Sequence, residues 1–292
     1  MRRILFSVAL IGLAGLSGCT SNPSTGREQL LLVSPQETQQ MGQQAAPELI
    51  KQYGGEVRSP QLRDYVTQVG MRLAKVVEPE YKNVKWQFTT LESDQVNAFS
   101  LPGGHVFICL GLLDKLHDEA QLAAVLGHEM GHVTARHVDE RISQATLIEQ
   151  GGKVASSVVG GGSNSSSSQL IPLVVGLGGQ GYLLKFSRDQ ETEADMQGLK
   201  YMTRANYDPQ GMVEVMQVLA AASNGSRQWE ILATHPDPQH RLEAVQKKIN
   251  GEYRNTQNNP KYQLYPDRFE RQAAPYLGAS SDAPPPRRAP KR

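Results

Sequence analysis

The sequence predicts an α+β fold, mainly helical with a small sheet. Apolar residues recur at spacings of three and four over several long stretches, period-two alternation is confined to residues 84–110, and capping residues stand ahead of helical runs. The 292 residues, 39% hydrophobic and 20% charged, suffice for a sizeable core in one or two domains. Thirty Lys+Arg against 29 Asp+Glu leave a net charge of +1, which excludes the basic footprint of a nucleic-acid binder.

The chain opens MRRILFSVALIGLAGLSGC: a basic start, an apolar run from Ile4 to Leu16, then small residues, the anatomy of an export signal. The run falls short of the roughly 20 residues that span a bilayer. Leu16-Ser17-Gly18-Cys19 resembles the lipobox of bacterial lipoproteins, which implies cleavage before Cys19 and a lipid on its thiol. Thr20, uncharged, resembles an outer-membrane sorting residue. Loss of Arg2 and Arg3 with the signal leaves about −1 on the mature chain. The expected organisation is a signal peptide over 1–18, a polar tether over 19–34, one domain over 35–250 and a poorly ordered tail over 251–292, where Asn, Gln, Tyr and Pro dominate. Cys109, the second of two cysteines, sits in the apolar run HVFICLGLL and reads as a buried, inert thiol.

Within the domain, residues 35–78 carry helical periodicity, with Leu62, Val66, Val69 and Leu73 on one face. Val84, Trp86, Phe88 and Thr90 alternate as a strand, and 96–110 reads as two extended segments around Pro102-Gly103-Gly104. Asp118, with Gln121 three residues on, marks the start of an amphipathic helix over about 118–140 whose stripe is Leu122, Val125, Leu126, Met130 and Val133. The Ser/Gly-rich stretch 151–184 is either a flexible connection or a mobile flap beside an active site. Further helices are expected over 187–204, capped by Ser187, over 208–223 and over 234–249.

The stretch LGHEMGHVTARH, 126–137, carries the chemistry. His128 and His132 stand one turn apart on one helical face, so their imidazoles can converge on one ion. Glu129 is rotated off that face and can take a proton from a water that the ion polarises. A catalytic site needs a third protein ligand and an open position. Glu191, in SRDQETEAD, is the candidate. Asp195 shares its face and can orient a metal histidine by accepting from its outer nitrogen, and Gly198 extends that face without a side chain. Glu193, on a different face, is expected in solvent. His105, His117, His137 and His240 rank low as ligands, His137 because it stands five residues past His132, off the ligand face.

His128-Glu129-Met130-Gly131-His132, with Glu191-Thr192-Glu193-Ala194-Asp195 downstream, resembles the gluzincin metallopeptidases, and among them the family of the CAAX prenyl protease, HtpX and BepA. NAFSLPGG at 97–104, Ser187-Arg188 and THPDPQHR at 234–241 extend the likeness across residues 60–250. The resemblance implies a zincin-like fold with a small mixed sheet packed on the HExxH helix. It implies one Zn2+ per chain held by His128, His132 and Glu191, with Glu129 as catalytic base. His105, Val106, Phe107 and Ile108 would form a sheet edge on which an extended substrate pairs. His235 is implied near the metal, either stabilising the oxyanion or blocking the fourth position, and Arg241 is a second candidate for the oxyanion.

The implied activity is endoproteolysis of misfolded or mis-assembled envelope proteins, a quality-control task on the periplasmic face of the outer membrane of a Gram-negative bacterium. Implied partners are unfolded protein substrates, the membrane through the lipid on Cys19, and outer-membrane assembly machinery, with no nucleic acid. The sequence departs from the CAAX protease and HtpX in lacking their transmembrane helices and resembles the periplasmic branch. The rival expectation is a lipid-anchored chaperone or binding module whose zinc is latent or structural, with 151–184 gripping unfolded clients.

Overall fold

A computed structural model describes residues 19–157, 185–223, 229–236 and 238–278. The expected signal peptide, residues 158–184 of the proposed flap and the tail beyond 278 lie outside the described residues.

Strand β3 (Gln87–Leu91) runs parallel to β5 (His105–Cys109), and β4 (Ala98–Leu101) pairs with β5 antiparallel, giving a mixed sheet in the order β3, β5, β4. Pro102-Gly103-Gly104 makes the turn, with φ of 86° and 94° at the two glycines, a region that L side chains avoid. Both faces of the sheet are covered, so every residue of β4 and β5 is buried. Phe88, Ala98, Val106 and Ile108 enter the larger core with α2 (Pro60–Ala74), the one-turn α3 (Leu110–Leu113) and α4 (Glu119–Thr134). Phe99, Leu101, Phe107 and Cys109 point the other way, toward α1 (Pro35–Gln52) and α5 (His137–Ser157). Burial pushes the Cys109 thiol up to about 12, as an inert cysteine requires.

This topology corrects the expected docking edge. His105, Val106, Phe107 and Ile108 belong to the central strand, whose backbone groups are taken by β3 on one side and β4 on the other. Among the described residues, no strand pairs with the outer side of β4.

The stretch 35–78 forms two helices, α1 with Tyr53 as its C-cap and α2 capped by Ser59, whose side chain accepts from the Leu62 amide. Asp118 caps α4 as expected, but the helix is not amphipathic. Glu119 to His132 are buried without exception, because α2, the sheet, α6 (Arg188–Arg204) and α7 (Gln210–Ser223) surround it. It is also shorter than 118–140: Arg136 adopts φ 58°, and α5 restarts at His137. Ser187 caps α6 in a full capping box with Gln190. The stretch 234–249 divides into α8 (Glu230–Thr234) and α9 (Pro238–Gly251), with the His235 turn between them. Among the described residues, no helix is long and apolar enough to cross a membrane.

Two further expectations are overturned by packing. Residues 19–34 are no free tether: β1 (Cys19–Ser21) and β2 (Glu28–Leu30) form an antiparallel hairpin. Its buried Asn22 and Gln29 donate to the carbonyls of Thr134 at 3.0 Å and Ala135 at 2.6 Å. Carbonyls at a helix end have no partner within the helix, so the polar residues that suggest a tether serve instead as the cap of α4.

The tail is likewise structured through residue 278. Helix α10 (Pro266–Gln272) places Phe269 in the larger core at 3% exposure, with its ring edge-on to Tyr65 at 6.5 Å. Arg268 pairs with the buried Glu119. Phe269→Ala is expected to cost about 3–5 kcal/mol, read as a lower urea midpoint; a dispensable tail would leave the midpoint unmoved.

Candidate metal centre

Helices α4 and α6 cross where their residues are small. A Cβ on Gly198 would lie 3.0 Å from the His128 nitrogen, and one on Gly131 would lie 2.6 Å from the Ala194 carbonyl oxygen. That backbone contact sets His128 and His132 directly against Glu191 and Asp195. Gly131→Ala therefore forces the helices apart despite Ala's better helix propensity. The expected result is a metal affinity at least about tenfold lower, measured by chelator competition; unchanged affinity would show that the crossing distance does not matter.

One ligand atom from each of His128, His132, Glu191 and His235 lies within 4.8 Å of the others, and all four residues are buried. The Nε2 atoms of His128 and His132 are 3.0 Å apart. Glu191 Oε1 lies 3.4 Å from His132 Nε2 and 2.9 Å from His235 Nδ1, and its Oε2 lies 3.5 Å from His128 Nε2. The three expected ligands are thus brought together, and His235 joins them as a fourth. Asp195 stands where expected, its Oδ1 at 2.7 Å from His128 Nδ1. His105, His117 and His240 are not part of the cluster.

The donor set fits a divalent cation on three counts. Three buried carboxylates, Glu129, Glu191 and Asp195, share the site with one permanent cation, Arg241, which pairs with the last two, a deficit that two further positive charges would balance. Glu129 Oε1 is buried without a hydrogen-bond partner. Burial holds His132 well below the ordinary histidine range, hence in the neutral form that ligates. Burial works to raise Glu191, but the charges of His235 and Arg241 outweigh it and hold the carboxyl well below its usual range. Burial opposes a charge on His235 too, yet Glu191 and Glu129 raise its pKa.

Arg241, the second oxyanion candidate, lies against Asp195 and Glu191. Its Nε and Nη2 donate to the two Asp195 oxygens at 2.8 and 2.7 Å, and Nη1 lies 2.6 Å from Glu191 Oε2. The guanidinium thus braces Asp195 through Nε and Nη2, while Nη1, beside Glu191, has no hydrogen-bond partner among the described residues. Glu129 accepts from the Ser100 hydroxyl of β4 at 3.1 Å through Oε2, and its Oε1 lies 3.5 Å from His235 Nε2.

The structure adds residues that sequence reasoning set aside. His137 Nδ1 lies 2.8 Å from His132 Nδ1, and His137 Nε2 lies 2.8 Å from Glu193 Oε2. Helical periodicity places His137 off the ligand face only if the helix continues; the break at Arg136 swings it back, and neither glycine nor proline marks that break. Glu193, expected in solvent, is largely buried and also accepts from Arg27. Phe186 stacks on His132 with centroids 3.9 Å apart.

The residues from 60 to 249 match the family model described as peptidase family M48. The chain is 31% identical over 199 residues to the beta-barrel assembly-enhancing protease of Escherichia coli (strain K12), a match covering 66% of this chain and 40% of that protein. It is 30% identical over 227 residues to the mitochondrial metalloendopeptidase OMA1 of Schizosaccharomyces pombe, covering 77% of this chain and 65% of that one. The chain thus spans less than half the length of the first of these relatives. The family match encloses the whole centre, from Ser100 to Arg241, and with more than half of its residues inside it this chain belongs to peptidase family M48.

Proposed function

We propose that the protein is a zinc-dependent metalloendopeptidase that hydrolyses misfolded or mis-assembled envelope proteins, held at the outer membrane by a lipid on Cys19. The observation that carries the reading is the convergence of His128, His132 and Glu191 beside Glu129, which β4 holds through Ser100. Two neutral imidazoles and a carboxylate are a donor set that suits catalytic zinc. When bound, zinc supplies Lewis acidity that activates water and polarises a carbonyl.

The chain's own residues divide the rest of the work. The Ser100 hydroxyl engages Glu129 Oε2 and leaves Oε1 without a partner, free to take the proton of the attacking water and later deliver it to the leaving amine. Because Asn97 pairs with Cys109 across the sheet, Ala98 and Ser100 turn their backbone groups away from β5, to the side on which no described strand pairs. A peptide paired there lies beside Glu129, which replaces β5 by β4 as the docking strand. Arg241 keeps Asp195 and Glu191 charged and in place. A role in the envelope is supported by the likeness to the Escherichia coli protein named beta-barrel assembly-enhancing protease. If Cys19 is lipidated, the anchor stands three residues from Asn22, which is buried in the domain, so the site works close to the membrane surface.

The cluster also supports a second reading, in which His235 fills the fourth position and holds the enzyme latent. Incubation of purified protein with casein separates these readings. Cleavage that a chelator stops and zinc restores is expected, with His235→Ala faster than wild type if His235 is the block. Zinc retained without cleavage in both proteins would favour a binding module.

A further inference from the structure

We propose that the hairpin following Cys19 is a positioning clamp on His132, an inference that rests on the zinc reading above. Asn22 and Gln29 close the C-terminal end of α4, whose last turn carries His132. From the same hairpin, Arg27 grips Glu140 of α5 with Nη1 and Nη2 at 2.9 Å each, while its Nε meets Glu193 Oε2 of α6 at 3.1 Å. Glu193 Oε2 is 2.8 Å from His137 Nε2, and His137 Nδ1 is 2.8 Å from His132 Nδ1. Both imidazoles are fully buried. An unbroken chain of polar contacts therefore runs from Arg27 to a metal ligand.

The direction of the hydrogen bonds follows from the carboxylate end. An ionised Glu193 only accepts, so His137 donates through Nε2 and offers Nδ1 as an acceptor. His132 must then donate through Nδ1, which leaves the Nε2 lone pair toward His128 Nε2 at 3.0 Å and Glu191 Oε1 at 3.4 Å. Outer partners of this kind fix the tautomer and ring orientation of metal histidines. Phe186, stacked on the ring, limits its tilt. His128 has a separate partner in Asp195, so the N-terminal hairpin governs one ligand and not the other. The segment beside the candidate lipid site is part of the metal centre, and its release would weaken metal binding without touching a ligand.

Zinc affinity of the full mature chain, measured by competition with a chromophoric chelator, tests the clamp. Glu193→Ala and His137→Phe are each expected to lower affinity about 10- to 100-fold, and the double variant no further than the weaker single, because both cut one chain. Glu193→Gln, which keeps an acceptor, should stay nearer wild type. Arg27→Ala, at a half-exposed position, should lose up to about tenfold, while Arg63→Ala, which breaks an exposed ion pair elsewhere, should lose nothing. Cobalt-substituted Glu193→Ala should show a shifted ligand-field spectrum. Wild-type affinity in Glu193→Ala and Arg27→Ala, or fully additive losses in the double variant, would overturn the clamp alone; a wild-type chain that binds no zinc would overturn the metal reading with it.

Discussion

Glu129→Gln is expected to slow peptide hydrolysis by at least about 10²- to 10⁴-fold, the contribution of a positioned acid–base group, while zinc content stays at wild-type level. Glu129 sits outside the four-residue cluster, and its Oε2 bond to Ser100 can be kept by the amide oxygen of glutamine. What disappears is the unpartnered Oε1 as a proton acceptor. Single-turnover cleavage of a fluorogenic peptide, with zinc measured on the same sample, separates loss of the base from loss of the metal. Cleavage near the wild-type rate would place the base elsewhere.

Glu191→Gln should have the opposite signature: the metal is lost and activity goes with it. The substitution keeps volume but removes the charged ligand, and a loss beyond the roughly 100-fold upper range for removing an outer partner is expected. At free zinc 100 times the wild-type Kd, wild type gains about 2.7 kcal/mol of stability, whereas a variant with Kd raised 100-fold gains only about 0.4 kcal/mol. Metal-free protein should change little, because Asp195 still pairs with Arg241 and one of three buried negative charges is gone. Thermal unfolding with and without zinc reads both numbers. A zinc-dependent shift as large as that of wild type would remove Glu191 from the ligand set.

The ligands were legible in the sequence because helical spacing is local. His128 and His132 at i and i+4, and Glu191 and Asp195 at i and i+4, each declare a shared face, and Gly131 and Gly198 let those faces meet. The Pro102-Gly103-Gly104 turn and the Ser187 cap were readable for the same reason. Strand order was not: an apolar run such as HVFIC is compatible with a central or an edge strand, and only the pairing of β3 on its far side decides. The N-terminal hairpin and α10 were hidden by composition. Asn22 and Gln29 look like solvated linker residues until the carbonyls of Thr134 and Ala135, more than a hundred positions away, need donors. His137 was lost to one backbone event, the left-handed turn at Arg136.

Zinc K-edge absorption on the purified wild-type chain tests the central claim most directly. One zinc per chain is expected, with a first shell of nitrogen and oxygen only, two or three imidazoles at about 2.0–2.1 Å, and the loss of that signal in His132→Ala. A sulfur neighbour at about 2.3 Å, or an unchanged spectrum at full occupancy in His132→Ala, would contradict it.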